Sequence, residues 1–415
     1  MPTTPQTFAP AKQFVGIAVE AVQGTPVAMT STVLVDNVKP KDNQTFLDDK
    51  SWRGSMGSDF GKIAGTRNAE VELSGPAYGD GIGFFLHNIL GDMAYTGTST
   101  GTGSTTLSTQ AVPGANSITT VATIPVGTTV QIGTGATAEC VITGTPTGSG
   151  PYTIPVATPA SGLAFQHAAS QAVQPVTAPF TQAHSLLNGG GGQPVSNTIT
   201  HFLGPTAGGG ARQYPGLCLS ELGLKWNAES ELLTWSGKGT SWPSVALGTP
   251  PVAAPSTATP VASWRMVVGI GGPAVGGTQL ATITDGELTI KRELTPYYSS
   301  TGTQNPYVIQ RGALSVEGKL NFIAADESPL LWMLNNSQPQ LQLLLDNGLT
   351  GPNKVVYQVD CQIAAFTESE ADGSKAAVEY SNNFTAVFNT TNAGGSGSYS
   401  PIKVSITNNV PPGTY

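Results

Sequence analysis

Short alternations of apolar and polar residues recur along most of this 415-residue chain and set the first expectation of its fold. The run Leu314-Ser315-Val316-Glu317-Gly318-Lys319-Leu320-Asn321-Phe322 has the period of a strand with one dry face and one wet face. Glu287 to Lys291, Gln340 to Leu345, Val355 to Ile363 and Ala377 to Phe388 continue the pattern. Only two segments carry helical spacing. In Gly81 to Leu90 it falls on Ile82, Phe85, Leu86 and Ile89; in Asp326 to Leu334 an Asp326 N-cap precedes a stripe of Leu330, Leu331 and Leu334. Each helix follows a strand. At an offset of 245, Val71 meets Val316, Glu72 meets Glu317, Phe85 meets Leu330 and Ile89 meets Leu334. Two such strand–loop–helix units are either a duplication or a coincidence in a Gly-rich chain.

Composition strengthens the strand reading. Gly 51 and Pro 31 beside 11% charged residues disfavour long helices and suit short strands joined by tight turns, so an all-β fold of two or three domains is expected. Hydrophobic residues at 39% and six tryptophans argue against disorder.

Charge then divides the chain. From Thr96 to Thr181 the only formally charged residue is Glu139, and acids and bases return on either side. Within that stretch Ser117–Val121, Thr129–Ile132, Glu139–Ile142 and Tyr152–Val156 alternate between turn residues. We expect residues 96–181 to be a small β-domain inserted between two parts of a larger one, 1–95 and 182–415, with a Pro-rich crossing loop at 248–260. Lys39 to Ile63 shows no strand pattern and mixes charges with Phe46, Trp52 and Phe60, so it is expected to be a long loop that orders against a neighbouring subunit.

A net charge of −8 and a pI near 5.0 oppose tight nucleic-acid binding, which rests on clustered Lys and Arg. The N-terminal MPTTPQTFAP lacks a basic region and an apolar run, so no secretory leader is expected, and no stretch reaches the ~20 apolar residues of a membrane span. Cys140, Cys218 and Cys361 have no metal-type spacing and are expected as packed, reduced thiols.

Candidate chemistry is sparse. His87 is expected at a helix boundary, and His167, His184 and His201 at the surface; none has a partner at ligand spacing. The Gly-rich runs Leu187–Gln193 and Gly269–Pro273 lack the Gly-Lys-Ser/Thr of a phosphate loop and are expected to be turns. The carboxylate pairs Asp48/Asp49, Glu229/Glu231, Asp326/Glu327 and Glu368/Glu370 are the only candidates for glycosidase-type chemistry. Trp226 and Trp235 sit beside alternating residues and are expected in the core, ahead of a role in stacking sugars. No cofactor, metal or catalytic residue is expected.

Val15–Glu20 followed by Gly24-Thr25-Pro26-Val27, then Arg53-Gly54-Ser55, Gly65-Thr66-Arg67, the Glu70–Gly75 strand and the Gly81–Gly91 helix stand in an order that resembles tail tube proteins of long-tailed bacteriophages. Asp285–Arg292, Asn305-Pro306-Tyr307, Arg311-Gly312 and Asp326–Leu330 continue the resemblance, which covers about 1–95 and 182–415. It implies a two-sheet β-sandwich or partial barrel with one or two short helices. It also implies hexameric rings that stack into a tube, in a tail made in the bacterial cytoplasm. Tape measure and tail tip or terminator proteins would be the partners, and viral DNA would pass without sequence-specific binding. Asp48, Asp49, Trp52, Arg53 and Phe60 in the polar segment, and Ser315, Glu317 and Lys319 in the alternating strand, are the expected assembly residues. That strand is expected to pair with a neighbouring subunit. A decoration or tail-fibre adhesin, and a β-sandwich glycosidase, are the competing classes.

Overall fold

Two large antiparallel sheets account for most of the chain, and no barrel closes. The computed structural model describes residues 10–57, 59–157, 162–204, 210–229, 231–254, 256, 258–271, 277–374 and 376–415. Parts of two expected turns, Gly272-Pro273 and Pro255 with Thr257, lie outside the described residues.

Eight strands of the first sheet bear on function: β1 (Asn37–Asp49), β2 (Gly61–Pro76), β3 (Ala211–Asn227), β4 (Thr234–Ser241), β5 (Ile283–Tyr297), β6 (Val308–Ile323), β7 (Ala364–Asp372) and β8 (Glu379–Ala386). Their lateral order is β1-β2-β4-β3-β5-β6-β8-β7, antiparallel throughout. The first part of β3 also pairs with Ser196–Phe202, beyond which lie Phe14–Glu20 and Ser31–Val33. The second sheet runs from Met266–Ile270 through Leu341–Asp346, Val356–Cys361, Lys403–Asn408 and Ala172–Leu186 to Gly91–Ser99.

Alternation becomes packing in the way the sequence foretells. Leu222, Leu224 and Trp226 of β3, Leu288 and Ile290 of β5, and Val316, Leu320 and Phe322 of β6 share one core with Leu341, Leu343, Val404 and Ile406 of the second sheet. Gly286 is needed there, because a Cβ would strike the Trp226 ring; Gly318 clears Phe384 in the same way. Helix α1 (Ile82–Ile89) is apolar nearly all round and joins the same core. Phe85 stacks on Trp235 at 4.3 Å, and Arg292 donates to the carbonyl of Ile89 at 2.8 Å, a cation at the helix C-terminus.

The two halves of the long sheet share one plan. Each has a long hairpin, then a helix, then two strands that return to the hairpin's second strand in reversed order. Both hairpins slip register partway along, between Gln44 and Phe46 of β1 and between Arg292 and Leu294 of β5, and β5 slips once more between Ile283 and Asp285. On the partner strands the first two slips join Ala64 and Arg67 in one case and Arg311 and Leu314 in the other, 247 residues apart. The offset of 245 read from the sequence is therefore two residues short. A two-residue error preserves which side chains face the core, which is why it matched so well.

Helix α2 (Ser328–Leu334) corrects two further expectations. Glu327 holds the cap position, and the Asp326 carboxylate accepts the Ser328 N–H at 2.8 Å from one residue earlier. The apolar stripe is rotated: Leu331 and Leu334 are exposed, while Trp332 packs against Phe322 and Phe366. A Trp removes more apolar surface from water than a Leu, so it sets the helix face. The segment Lys39 to Ile63 is corrected as well: most of it is the outer part of the β1–β2 hairpin and only its tip is loop.

Residues Leu107 to Val173 hold a separate apolar cluster with Ile118, Val130, Ile132, Val141 and Ile154. Strand Ala172–Leu186 ties it to the body, pairing with Thr129–Ile132 at one end and Gly91–Ser99 at the other. Its lone acid, Glu139, is turned inward. The carboxylate accepts the N–H groups of Ala164 at 2.7 Å and Phe165 at 2.8 Å, and bonds His167 Nε2 at 2.8 Å. Glu139→Ala would strand two backbone donors, each costing about 1–3 kcal/mol when left unpaired. Amide exchange at Ala164 and Phe165 should accelerate at least tenfold while Val316 and Leu320 keep their protection; unchanged exchange at both would show that the carboxylate is not the anchor.

Candidate assembly surface

The outer face of the long sheet has no layer over it among the described residues. Glu70 and Glu72 of β2, Lys238 of β4, Glu221 and Lys225 of β3, Glu287 and Lys291 of β5, and Glu317 and Lys319 of β6 all alternate with core residues and so share this face. Acids and bases interleave across it. Lys291 reaches Glu317 at 2.7 Å and Lys238 reaches Glu72 at 3.2 Å. Hydrogen bonding to Glu317 raises the Lys291 ammonium above the ordinary lysine range, and Glu72 does the same for Lys238. These pairs are solvated and screened, so they contribute little stability.

Ser315, Glu317 and Lys319 lie on this wet face, as expected of them. Their strand does not have the free edge that was expected. From Glu317 to Phe322 β6 is paired with β5 on one side and β8 on the other, so the backbone of that stretch has partners within the chain. Among the described residues, the long-hairpin section ends at β1, paired only with β2, and at β7, paired only with β8.

The other expected residues gather at the tip of the β1–β2 hairpin, apart from the first three. Asp48 bonds Lys62 at 3.1 Å with Lys50 at 3.7 Å, and the Lys62 hydrogen bond holds its carboxyl below the usual range. Arg53 pairs with Asp49 and lies 4.9 Å from the centre of the Phe60 ring. Asp49 is also lowered, chiefly by the Ser51 hydroxyl. Trp52 at 101% and Met56 at 105% relative exposure touch nothing that hides them, and Phe46, Leu47 and Ile63 are also exposed. So much exposed apolar surface on one arm is more than a surface of scattered single side chains would show. Sequence reading identified Trp52 and Phe60 but missed Met56 and the strand pairing, which tolerates a face of Lys, Asp and Asn because both faces are wet.

Several stretches that singled themselves out in sequence prove to be anchors. Glu20, buried, accepts from Gly24 N at 3.0 Å, Gly216 N at 2.7 Å, and the hydroxyls of Ser196 and Thr198 at 2.6 Å, pinning the Gly24-Thr25-Pro26 turn. Arg311 donates to the carbonyls of Pro194 and Val195 at 2.6 Å, and Arg292 to that of Gly192 at 2.8 Å. The Gly-rich loop thus turns carbonyls toward cations, the opposite of an anion cradle. Arg67 Nε meets Asn305 Oδ1 at 2.8 Å, joining two separate motifs.

The histidines correct another expectation. His167, His184 and His201 are buried, and His87 is half-buried with its ring centre 6.3 Å from that of His184. Burial lowers His87 to about 4 and His184 to about 3, so both are neutral near pH 7. All three cysteines are free and buried. Among the described residues no group of three His, Cys, Asp or Glu is placed to hold a metal ion. Glu368 and Glu370 stand on the outer face of the edge strand β7.

A search of curated proteins finds no match to this chain. The family model described as phage tail tube protein matches residues 123–386, a span that begins inside the near-uncharged segment and ends with β8. That is more than half of the chain. It agrees with the two-sheet fold and spans the motifs from Asp285 to Leu330 but none of those before residue 95, and the chain belongs to the phage tail tube protein family.

Proposed function

We propose that this protein is the wall of a bacteriophage tail tube, built as stacked rings around a channel that conducts viral DNA, with no chemical step of its own. The observation that carries this reading is the long sheet: one face is sealed by the second sheet and α1, and the other is wet, mixed in charge and bare. An antiparallel sheet tolerates this arrangement. Curved into a ring, its wet face lines the lumen, and interleaved acids and bases offer DNA no continuous basic track. The resemblance to tube proteins implies hexameric rings, six chains in each. The tape measure protein would occupy the lumen before DNA, and tip and terminator proteins would close the ends. Synthesis in the host cytoplasm and assembly into the tail of a long-tailed virion complete the proposal.

The arm at the β1–β2 tip would dock on the next ring or subunit, covering Trp52, Met56 and Phe60. The small module would project outward, because it hangs from the second sheet, away from the wet face.

Electron microscopy of the purified protein tests the main reading: tubes with a central channel support it, and particles without a channel refute it. Limited proteolysis should cut between Lys50 and Phe60 in free chains and spare that segment in tubes, by at least tenfold in rate. Equal cutting would remove the arm from the assembly. Replacing residues 100–175 by a short Gly/Ser linker keeps the Gly91–Ser99 pairing with Val176–Leu186 and should leave tube formation intact. A folded deletion protein that makes no tubes would place the module in the wall.

A further inference from the structure

The middle of the long sheet contains an example of the contact that its two ends lack. β3 ends the first half and β5 begins the second, and they pair with Glu221 opposite Lys291, Gly223 opposite Thr289 and Lys225 opposite Glu287. β7 ends the second half as β3 ends the first, and β1 begins the first as β5 begins the second. The register slips match residues between halves. Leu219 and Glu221 of β3 correspond to Phe366 and Glu368 of β7, and Gln44 and Phe46 of β1 correspond to Arg292 and Leu294 of β5.

We propose that chains join head to tail, β7 of one copy pairing with β1 of the next in the register of the β3–β5 junction, so that a ring of six sheet units holds three chains. The inference rests on the tube reading above and replaces the six chains expected from the resemblance with three, because each chain carries two units. Transferring the junction register puts Glu370 opposite Lys41 and Asp372 opposite Lys39, with Glu368 opposite Asn43. Charge played no part in setting that register, yet two opposite-charge pairs result. All four charged side chains lie on the wet face, where Lys39 and Lys41 stand opposite Glu72 and Glu70, and Glu370 and Asp372 opposite Ser381 and Glu379.

Both edges have ladders to offer. Among the described residues, neither Asn37–Asn43 nor Thr367–Ala371 makes a backbone hydrogen bond on its outer side. Lys39, Pro40 and Lys41 are residues that discourage indiscriminate edge pairing, so the free chain stays soluble until it meets an acidic edge. Pairing β1 with β1 would set Lys against Lys, and β7 with β7 acid against acid; only the head-to-tail contact is complementary. Such a heterologous contact either closes into a ring or runs on as a filament, and closure leaves no edge exposed.

Two experiments test the contact and the count. Lys39→Glu with Lys41→Glu should reduce the polymerised fraction at low salt at least tenfold while circular dichroism stays that of the parent. Adding Glu370→Lys and Asp372→Lys should restore tubes to within about twofold of the parent. Second, Lys41→Cys with Glu370→Cys, oxidised within assembled tubes, should give linked chains on a denaturing gel that stop at three, about 127 kDa from a 42.5 kDa chain. Tubes from parent and charge-reversed chains alike, or tubes that form without cross-linking, overturn the edge contact and leave the tube reading standing. Links that continue to six chains overturn the count of three. A parent chain that forms no tubes overturns the tube reading and this inference together.

Discussion

An open antiparallel sheet ends in two rows of unpaired backbone donors and acceptors, and this constraint organises the protein. The sheet here is eight strands wide through its long-hairpin section, and among the described residues no further strand pairs with its terminal strands β1 and β7. A monomeric sandwich usually covers or shortens such strands. This chain leaves them long and marks them with opposite charges: lysines on one and carboxylates on the other. The proposed ring would give that exposure a purpose, because closure would satisfy both rows at once.

The same economy explains the wet face. Solvated pairs such as Lys291–Glu317 and Lys238–Glu72 contribute little to stability. Their value lies in keeping a bare face soluble and free of either a basic or an acidic continuous patch. The stabilising contacts are on the other side, where Trp226, Phe322, Phe384 and α1 form one core with the second sheet.

Buried charge serves the connections. Glu20, Arg292 and Arg311 each bond backbone groups of loops remote in sequence, and every named partner is a donor for the acid or an acceptor for the arginines. Buried ionised groups are tolerated only when so satisfied. In exchange they hold irregular loops where no apolar side chain would specify a geometry. Glu139 does the same inside the small module, which leaves that module's surface without formal charge from Thr96 to Thr181.

Period-two alternation determined the strands of the core, because a side chain that faces water must differ from one that faces apolar neighbours. Leu314 to Phe322, Glu287 to Lys291 and the strands of the small module could be read directly for that reason, and so could α1. Where both faces are wet the signal vanishes, and the β1–β2 hairpin was read as loop although its backbone is paired almost to the tip. Sequence also placed Trp52, Arg53 and Phe60 together, and it noted Glu368 and Glu370 only as a carboxylate pair, with nothing to mark them as lying on a sheet edge. Which strands are edges is a property of pairing between distant segments, invisible in any local pattern, and it moved the candidate contact from β6 to β1 and β7. The repeat was legible as a coincidence of strand and helix two residues out of register; only the matching slips in tertiary pairing fixed its offset, and with it the register proposed between Lys39 and Lys41 and Glu370 and Asp372.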